Sequence, residues 1–519
     1  MSRALTLGLF LALLVALALR GPQLGIRPMH NDEAVNAIKF QSLWERGTYQ
    51  YDPSEYHGPT LLYLTAAWAK LTRAPGFLQF DDARFRVLTV LFGIGLILLL
   101  PLIADGPGPR ATACAALLTA ISPAMVFYSR YYIHEMLLVF FTFLALAAAW
   151  RYTRSRRIAW ALLAGAAIGL MQATKETFVL TLAAVLAALV LNRIWMRRFD
   201  TGNAPGHFKL DWKHFAAAFA VWLVVALLFF SSFFTNTNGP LDAIRTYLPW
   251  LHRAGGASPH IHPWNFYLNR LVYFHPAKGP VFSEALILVL GIVGITAAFT
   301  RKGLSDANAN FIRFLAFYTL TLAAIYSVLA YKTPWCLLSF WHGVIVLAGI
   351  GAVALLEWMP RRAMRFALGL ILLAGAAQLT FQSWQAGVTY SADPRNPYVY
   401  AQTSPDIRKL VDHLDALAQA HPQKYQMPVK VMAPESDYWP LPWYLRRFDN
   451  IGWWGEMPAD PFAPVMIVST QFNAALDEKK THLMVGMFEL RPKIFLELYV
   501  EKDLWRAWLG SAKPSATEP

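Results

Sequence analysis

The sequence predicts a mainly α, polytopic membrane protein of about eleven transmembrane helices, closed by a small outer α/β domain at its C-terminus. Three observations carry this. Of 519 residues 56% are hydrophobic and only 15% charged, where a soluble chain carries roughly 25% charge to wet its surface. Apolar windows of about 20 residues, the length that crosses a bilayer, recur from the N-terminus to residue 381. Lys and Arg gather in short clusters at alternate turns between these windows, which is how cytoplasmic membrane loops are marked.

In order, the spans are expected near 4–20, 86–104, 111–128, 134–150, 158–174, 177–193, 214–234, 281–300, 311–330, 336–357 and 365–381. The first also fits a cleavable signal peptide, with Arg3, a long apolar core and Ala16-Leu17-Ala18, but the spans that follow favour a retained signal anchor. With the N-terminus inside, the inner turns hold Arg110, then Arg151, Arg154, Arg156 and Arg157, then Arg193, Arg197 and Arg198, then Arg301 and Lys302, then Arg361, Arg362 and Arg365. An odd number of crossings leaves the C-terminus outside the plasma (inner) membrane. The net charge of +14 is therefore spread over membrane loops rather than forming one basic face, which argues against nucleic acid as a partner. The two cysteines, Cys114 and Cys336, sit in or beside apolar stretches and exclude a disulfide framework or a Cys-rich zinc site.

Residues 1–381 thus form the transmembrane domain, with long outer loops at 21–85 and 235–280, and residues 382–519 the extracytoplasmic domain. In the first loop, His57-Gly58-Pro59 reads as a turn into a helix at Thr60–Leu71. In the tail, Ser404-Pro405-Asp406 opens an amphipathic helix to Ala420, and Val429–Met432, Val465–Ser469 and Ile494–Val500 read as strands. The aromatic segment Tyr438–Tyr444 suits a position over the membrane face.

Ionisable residues in tight outer turns between apolar spans are candidates for function. Four groups fall on the outer side: His30-Asn31-Asp32-Glu33; Ser129-Arg130-Tyr131-Tyr132-Ile133-His134-Glu135; Lys175-Glu176; and Tyr331-Lys332-Thr333-Pro334-Trp335. Carboxylates and fixed cations facing one compartment meet the needs of sugar transfer from a lipid phosphate. The phosphate is already a good leaving group, so one carboxylate must deprotonate the acceptor and cations must hold the departing phosphate. Arg130, Lys175 and Lys332 are candidates for the phosphate. Other readings stay open: Asp32-Glu33 as the first turn of an outer helix, Arg130 and His134 as one helix face at the interface, Lys175 as a snorkelling chain. His252, His260, His262 and His275 are too irregularly spaced in a Pro-rich loop to read as a metal site.

These residues resemble the dolichyl-phosphate-mannose-protein mannosyltransferase-like, GT-C fold membrane glycosyltransferases, in the outer Asp-Glu after the first span, the His57-Gly58-Pro59-Thr60-Leu61-Leu62-Tyr63 segment and the Ser-Arg-x-x-x-His-Glu turn. More narrowly, His30-Asn31-Asp32-Glu33-Ala34, Tyr331-Lys332-Thr333-Pro334-Trp335, Asn396-Pro397-Tyr398-Val399-Tyr400 and Tyr438-Trp439-Pro440-Leu441-Pro442-Trp443-Tyr444 resemble the prokaryotic flippase-activity-associated family, along nearly the whole chain. The resemblance implies Asp32 as catalytic carboxylate with Glu33 beside it, and Arg130 on the lipid phosphate. It implies His30, His57, Tyr131, His134 and Glu135 around the substrate. Relatives often carry Lys-Pro-Pro where this chain has His57-Gly58-Pro59, so Lys175 or Lys332 is expected to replace that contact. Some members use a divalent cation, Mg2+ or Mn2+, and others none.

The function expected is therefore an inverting glycosyltransferase acting on a polyprenyl-phosphate-linked sugar at the outer membrane face, with a glycan, lipid or protein acceptor and Asp32 as general base. The alternative is a non-catalytic or translocating protein that binds the same lipid-linked sugar. An ion-coupled transporter would be expected to show polar or broken helices near mid-membrane, where these spans are nearly free of charge.

Overall fold

In lipid no water is at hand for backbone groups, so the apolar stretches close their hydrogen bonds within helices. The computed structural model describes residues 2–512 apart from 56, 75, 201–210, 255–259 and 305–306. α1 (Arg3–Arg20) is followed by two helices of the first long loop, α2 (Asn31–Arg46) and α3 (Thr60–Leu71), then by α4 (Asp82–Leu99), α5 (Pro109–Ile121), α6 (Pro123–Ser129), α7 (Glu135–Ser155), α8 (Ile158–Gln172), α9 (Phe178–Phe199) and α10 (Trp212–Phe230). Short α11 (Gly239–Arg245), α12 (Tyr247–Ala254) and α13 (Phe266–Leu271) lie in the second long loop, ahead of α14 (Ala285–Thr300), α15 (Ala309–Val328), α16 (Leu338–Trp358) and α17 (Arg362–Trp384).

Among the described residues eight helical segments, built on α1, α4, α7, α9, α10, α15, α16 and α17, are long and apolar enough to cross a membrane, and the bent pair α5–α6 makes nine if taken as one span. α8 and α14 have 15 and 16 residues, short of the roughly 20 of a straight crossing. Every expected span thus falls on an apolar helix, while helix length supports fewer full crossings than eleven. The expected span at 111–128 is broken by 59° at Ser122-Pro123, because proline has no N–H to continue the ladder. The carbonyls this releases are taken up by side chains: Arg20 donates to Thr119 O at 2.8 Å and Ala120 O at 2.7 Å, and Ser383 Oγ to Ile121 O at 2.6 Å. Below the bend, the buried Glu284 carboxylate accepts from Ala124 N at 2.9 Å, Ser122 Oγ at 2.5 Å, Tyr398 OH at 2.5 Å and Trp341 Nε1 at 3.2 Å. One side chain so ties the bend to α14, α16 and the start of the outer domain.

The tail folds as expected into α18 (Asp406–Ala420) and a sheet containing β1 (Val429–Met432), β3 (Val465–Ser469) and β5 (Ile494–Glu501), joined by β2 (Ile451–Trp454), β4 (His482–Arg491), α19 (Leu441–Tyr444) and α20 (Lys502–Ala512). The order is β2-β1-β3-β5-β4, parallel from β2 to β3 and antiparallel beyond. α18 buries Ile407, Leu410, Leu414 and Leu417, a single stripe at helical spacing, beside β-strand residues Val431, Ile467 and Leu498. Two aromatics of the Tyr438–Tyr444 segment pack into the protein. Trp443 is buried against Phe77 and Phe85 and donates to Asp82 Oδ1 at 2.8 Å, while Tyr444 OH donates to Asp82 Oδ2 at 3.0 Å. A buried indole N–H needs a partner, and the carboxylate at the start of α4 supplies it.

Candidate active site

The chain between α1 and α2 is held almost entirely through its backbone. Arg130 donates to the carbonyls of Leu19 (3.3 Å), Arg20 (3.0 Å), Pro22 (2.7 Å) and Gln23 (3.1 Å). Arg86 donates to those of Leu24 (2.7 Å), Arg27 (2.8 Å) and Pro28 (3.2 Å), and the C-terminal domain holds Pro28 a second time and Met29 as well, with Gln402 on Pro28 O at 2.9 Å and Thr403 on Met29 O at 2.7 Å. This linker ends in His30, the N-cap of α2, whose Nδ1 accepts from Asp32 N at 3.1 Å. Only an unprotonated Nδ1 can accept, so the neutral ring carries its proton on Nε2. Burial keeps this imidazole below its usual pKa.

Asp32 and Glu33, adjacent in sequence, take opposite roles. Glu33 closes the capping box on His30 N at 3.0 Å, is fully buried, and receives Arg86 on both oxygens at 2.7 Å as well as Tyr132 N at 2.8 Å. Burial pushes its carboxyl up, but Arg86, Arg27 and these hydrogen bonds together hold it at about 2. Asp32 is 41% exposed, with His30 Nδ1 at 3.8 Å and no Arg or Lys within 4.0 Å among the described residues. It faces a cavity of about 890 Å³, whose wall Glu33 does not reach.

The opposite wall comes from two turns zipped together. His57 and Lys175 pair as an antiparallel bridge, Gly58 N donates to Thr174 O at 3.0 Å, and Thr60 N to Ala173 O at 3.1 Å. A Cβ on Gly58 would stand 2.0 Å from Ala173 O, so only glycine permits the approach. His57-Gly58-Pro59 is thus more than a lead into α3. It presents the His57 ring to Glu176, Nδ1 to Oε2 at 3.2 Å, and the Gly58 carbonyl to His134 Nε2 at 3.1 Å. Lys175 pairs with Glu135 at the start of α7. Burial would pull this ammonium down, yet Glu135 more than reverses it and Lys175 stays charged. Burial, then His57 and Lys175, hold His134 well below its usual value.

Of the expected site residues, Asp32, His30, His57, His134, Glu135 and Lys175 border this one cavity, and Glu33, Arg130, Tyr131 and Lys332 do not. Arg130 is committed to the linker carbonyls. Tyr131 is buried under the Arg27 guanidinium, 4.2 Å from its ring centre. Lys332 Nζ donates to the carbonyls of Leu329 and, at 3.1 Å, of His262. Three positions that sequence reasoning missed also border the cavity: Lys39, about two helical turns beyond Asp32 on the same face of α2, and Tyr400 and Arg491 of the C-terminal domain. Lys39 was legible from its helical spacing to Asp32. Arg491 was not, because it arrives through the tertiary docking of β4.

Among the described residues no three His, Cys, Asp or Glu side chains are grouped to hold a metal ion. Glu33 is held by Arg86 and lies off the cavity wall, so the described residues around Asp32 do not form a carboxylate cluster for Mg2+ or Mn2+.

Residues 63–237 match the dolichyl-phosphate-mannose-protein mannosyltransferase family. ArnT from Cupriavidus metallidurans superposes with a TM-score of 0.61 bound to undecaprenyl phosphate and 0.62 in the apo state, each at 14% identity over 95% of this chain and 97% of that one. The chain has the GT-C fold. The same GT-C fold relates it to the apo oligosaccharyltransferase of Archaeoglobus fulgidus, with a TM-score of 0.52 at 15% identity over 88% of this chain and 64% of that one. No curated protein matches the sequence. None of these matches carries a flippase-associated description.

Proposed function

We propose that the protein is an inverting glycosyltransferase of the plasma membrane that moves a sugar from a polyprenyl-phosphate donor to an acceptor hydroxyl at the outer face. The observation that carries this is the state of Asp32: a cavity carboxylate with no Arg or Lys paired to it among the described residues, while Glu135 and Glu176 beside the same cavity are each engaged. An unpaired carboxylate within reach of substrate suits a general base. The acceptor oxygen attacks the anomeric carbon as the carbon–oxygen bond to phosphate breaks, the bonding pair leaves with the phosphate, and Asp32 takes the hydroxyl proton. A single displacement of this kind inverts the anomeric centre. Lys175, Lys39 and Arg491, the cations bordering the cavity, are assigned to the departing phosphate in place of Arg130 and Lys332.

The undecaprenyl phosphate bound to ArnT supports a polyprenyl-phosphate donor. So does the cavity's mixed wall, where Leu180, Tyr326 and Leu329 offer apolar surface close to the charged turns. Asp32→Asn should lower transfer about 10²–10⁴-fold while donor binding persists, measured as release of polyprenyl phosphate from a panel of lipid-linked sugars. Full turnover by the variant would refute the base. Donor binding with no transfer by either protein would favour the translocating reading.

A further inference from the structure

We infer that a small monovalent anion, of the size of chloride, binds among Arg27, Arg86 and Arg130 beneath the α1–α2 linker. Arg20, Arg27, Arg86 and Arg130 are each no more than 4% exposed, Arg130 repels Arg20, Arg27 and Arg86 repel Arg130, and Glu33 is the one carboxylate paired with any of them among the described residues. Four guanidiniums against one carboxylate leave three positive charges buried. Carbonyl oxygens accept their hydrogen bonds but carry no net charge, and a buried charge without a counter-charge is costly.

A void sits at this excess. It holds about 10 Å³ of free space and is bordered by Arg27, Arg86, Arg130, Phe127 and Gly387. That is about the space for one small bound particle. It shares no bordering residue with the large cavity. Two details mark it as a binding place. Arg27 Nε is buried and has no hydrogen-bond partner. Gly387 keeps the space beside Arg130 open, since a Cβ there would stand 3.3 Å from Arg130 Nε. The like charges of Arg27 and Arg86, after burial, already pull the Arg130 guanidinium down to about 9, and an anion between them relieves that repulsion. The site does not depend on the transferase reading, but it lies under the linker that sets His30 and Asp32.

The test uses the purified full-length protein. Thermal unfolding at constant ionic strength should shift upward by a few degrees when gluconate is replaced by chloride or bromide, and the shift should saturate as mass action requires. In bromide-soaked crystals, an anomalous peak is expected within hydrogen-bond distance of Arg27 Nε. Gly387→Ala should fold and lose most of the halide-dependent shift. Equal unfolding temperatures in chloride and gluconate, with no peak in bromide, would overturn the site. So would stabilisation by phosphate or sulfate that halides fail to reproduce.

Discussion

At the scale of single residues, two neighbouring carboxylates are divided by one step of helical rotation. Asp32 turns to the cavity, while Glu33, at the third position of α2, turns back to cap the helix and meet Arg86. The sequence offers a signal for this, a capping-box spacing from His30 to Glu33, but His is an unusual N-cap, and the structural role of Glu33 was not legible beside Asp32. Glu33→Gln should destabilise the protein by about 3–5 kcal/mol, the cost of leaving buried arginine unpaired, seen as a lower unfolding temperature. Because the folded Glu33 carboxyl titrates at about 2, below its ordinary value of about 4.3, its stabilisation is complete above pH 4–5 and is lost as the pH falls from there towards 2. A stability profile flat through that window in wild type would contradict the pairing. Arg130 was legible as a buried functional arginine, but its target was not, because backbone carbonyls have no sequence signature. Arg130→Ala should therefore lower thermal stability while leaving donor affinity of the folded protein within about twofold, less than 0.5 kcal/mol. A tenfold loss of affinity with unchanged stability would return Arg130 to the phosphate.

At the scale of elements, the apolar helices, α3 and three of the five strands were readable from periodicity. β2 and β4 were not: β2 has four residues with no alternation in burial, and β4 slips register between Met484 and Gly486 and again near its end, which breaks the two-residue repeat that marks a strand. The bend of α5–α6 was in plain view as Pro123 inside an apolar run, and length alone concealed it. The zipped turns of His57–Thr60 and Ala173–Glu176 could not be read from sequence, since they are more than a hundred residues apart. Their closeness predicts that Gly58→Ala, which drives a methyl into a carbonyl, separates the turns, weakening donor binding and transfer together. An activity assay with Gly58→Ala close to wild type would show that the two turns need not touch.

For the molecule as a whole, the C-terminal domain is part of the frame of the site. Gln402, Thr403 and Tyr444 hold Pro28 and Met29, directly before His30, and Arg491 borders the cavity itself. Removing residues 390–519 should then cost donor binding as well as transfer, measured with a labelled polyprenyl-phosphate sugar. Retained binding by a folded truncation would confine the domain to the acceptor. The basic clusters at Arg151–Arg157 and Arg361–Arg365 assign their turns to the cytoplasm, so alkaline phosphatase fused to the C-terminus should be active. An inactive phosphatase there, with a fluorescent C-terminal fusion that folds only in the cytoplasm, would reverse the topology.

The arginine grip on the linker has a consequence for mutational tolerance. A carbonyl is the same in every amino acid, so the positions from Pro22 to Leu24 are held without regard to their side chains, whereas the contacts of Arg86 and Arg130 need the guanidinium itself. A saturation scan scored on folding should accept many residues at Gln23, β-branched ones excepted because its φ is +52°, and almost none at Arg130. The outer edge of the fold would then be a strap whose letters vary freely and whose buckles do not.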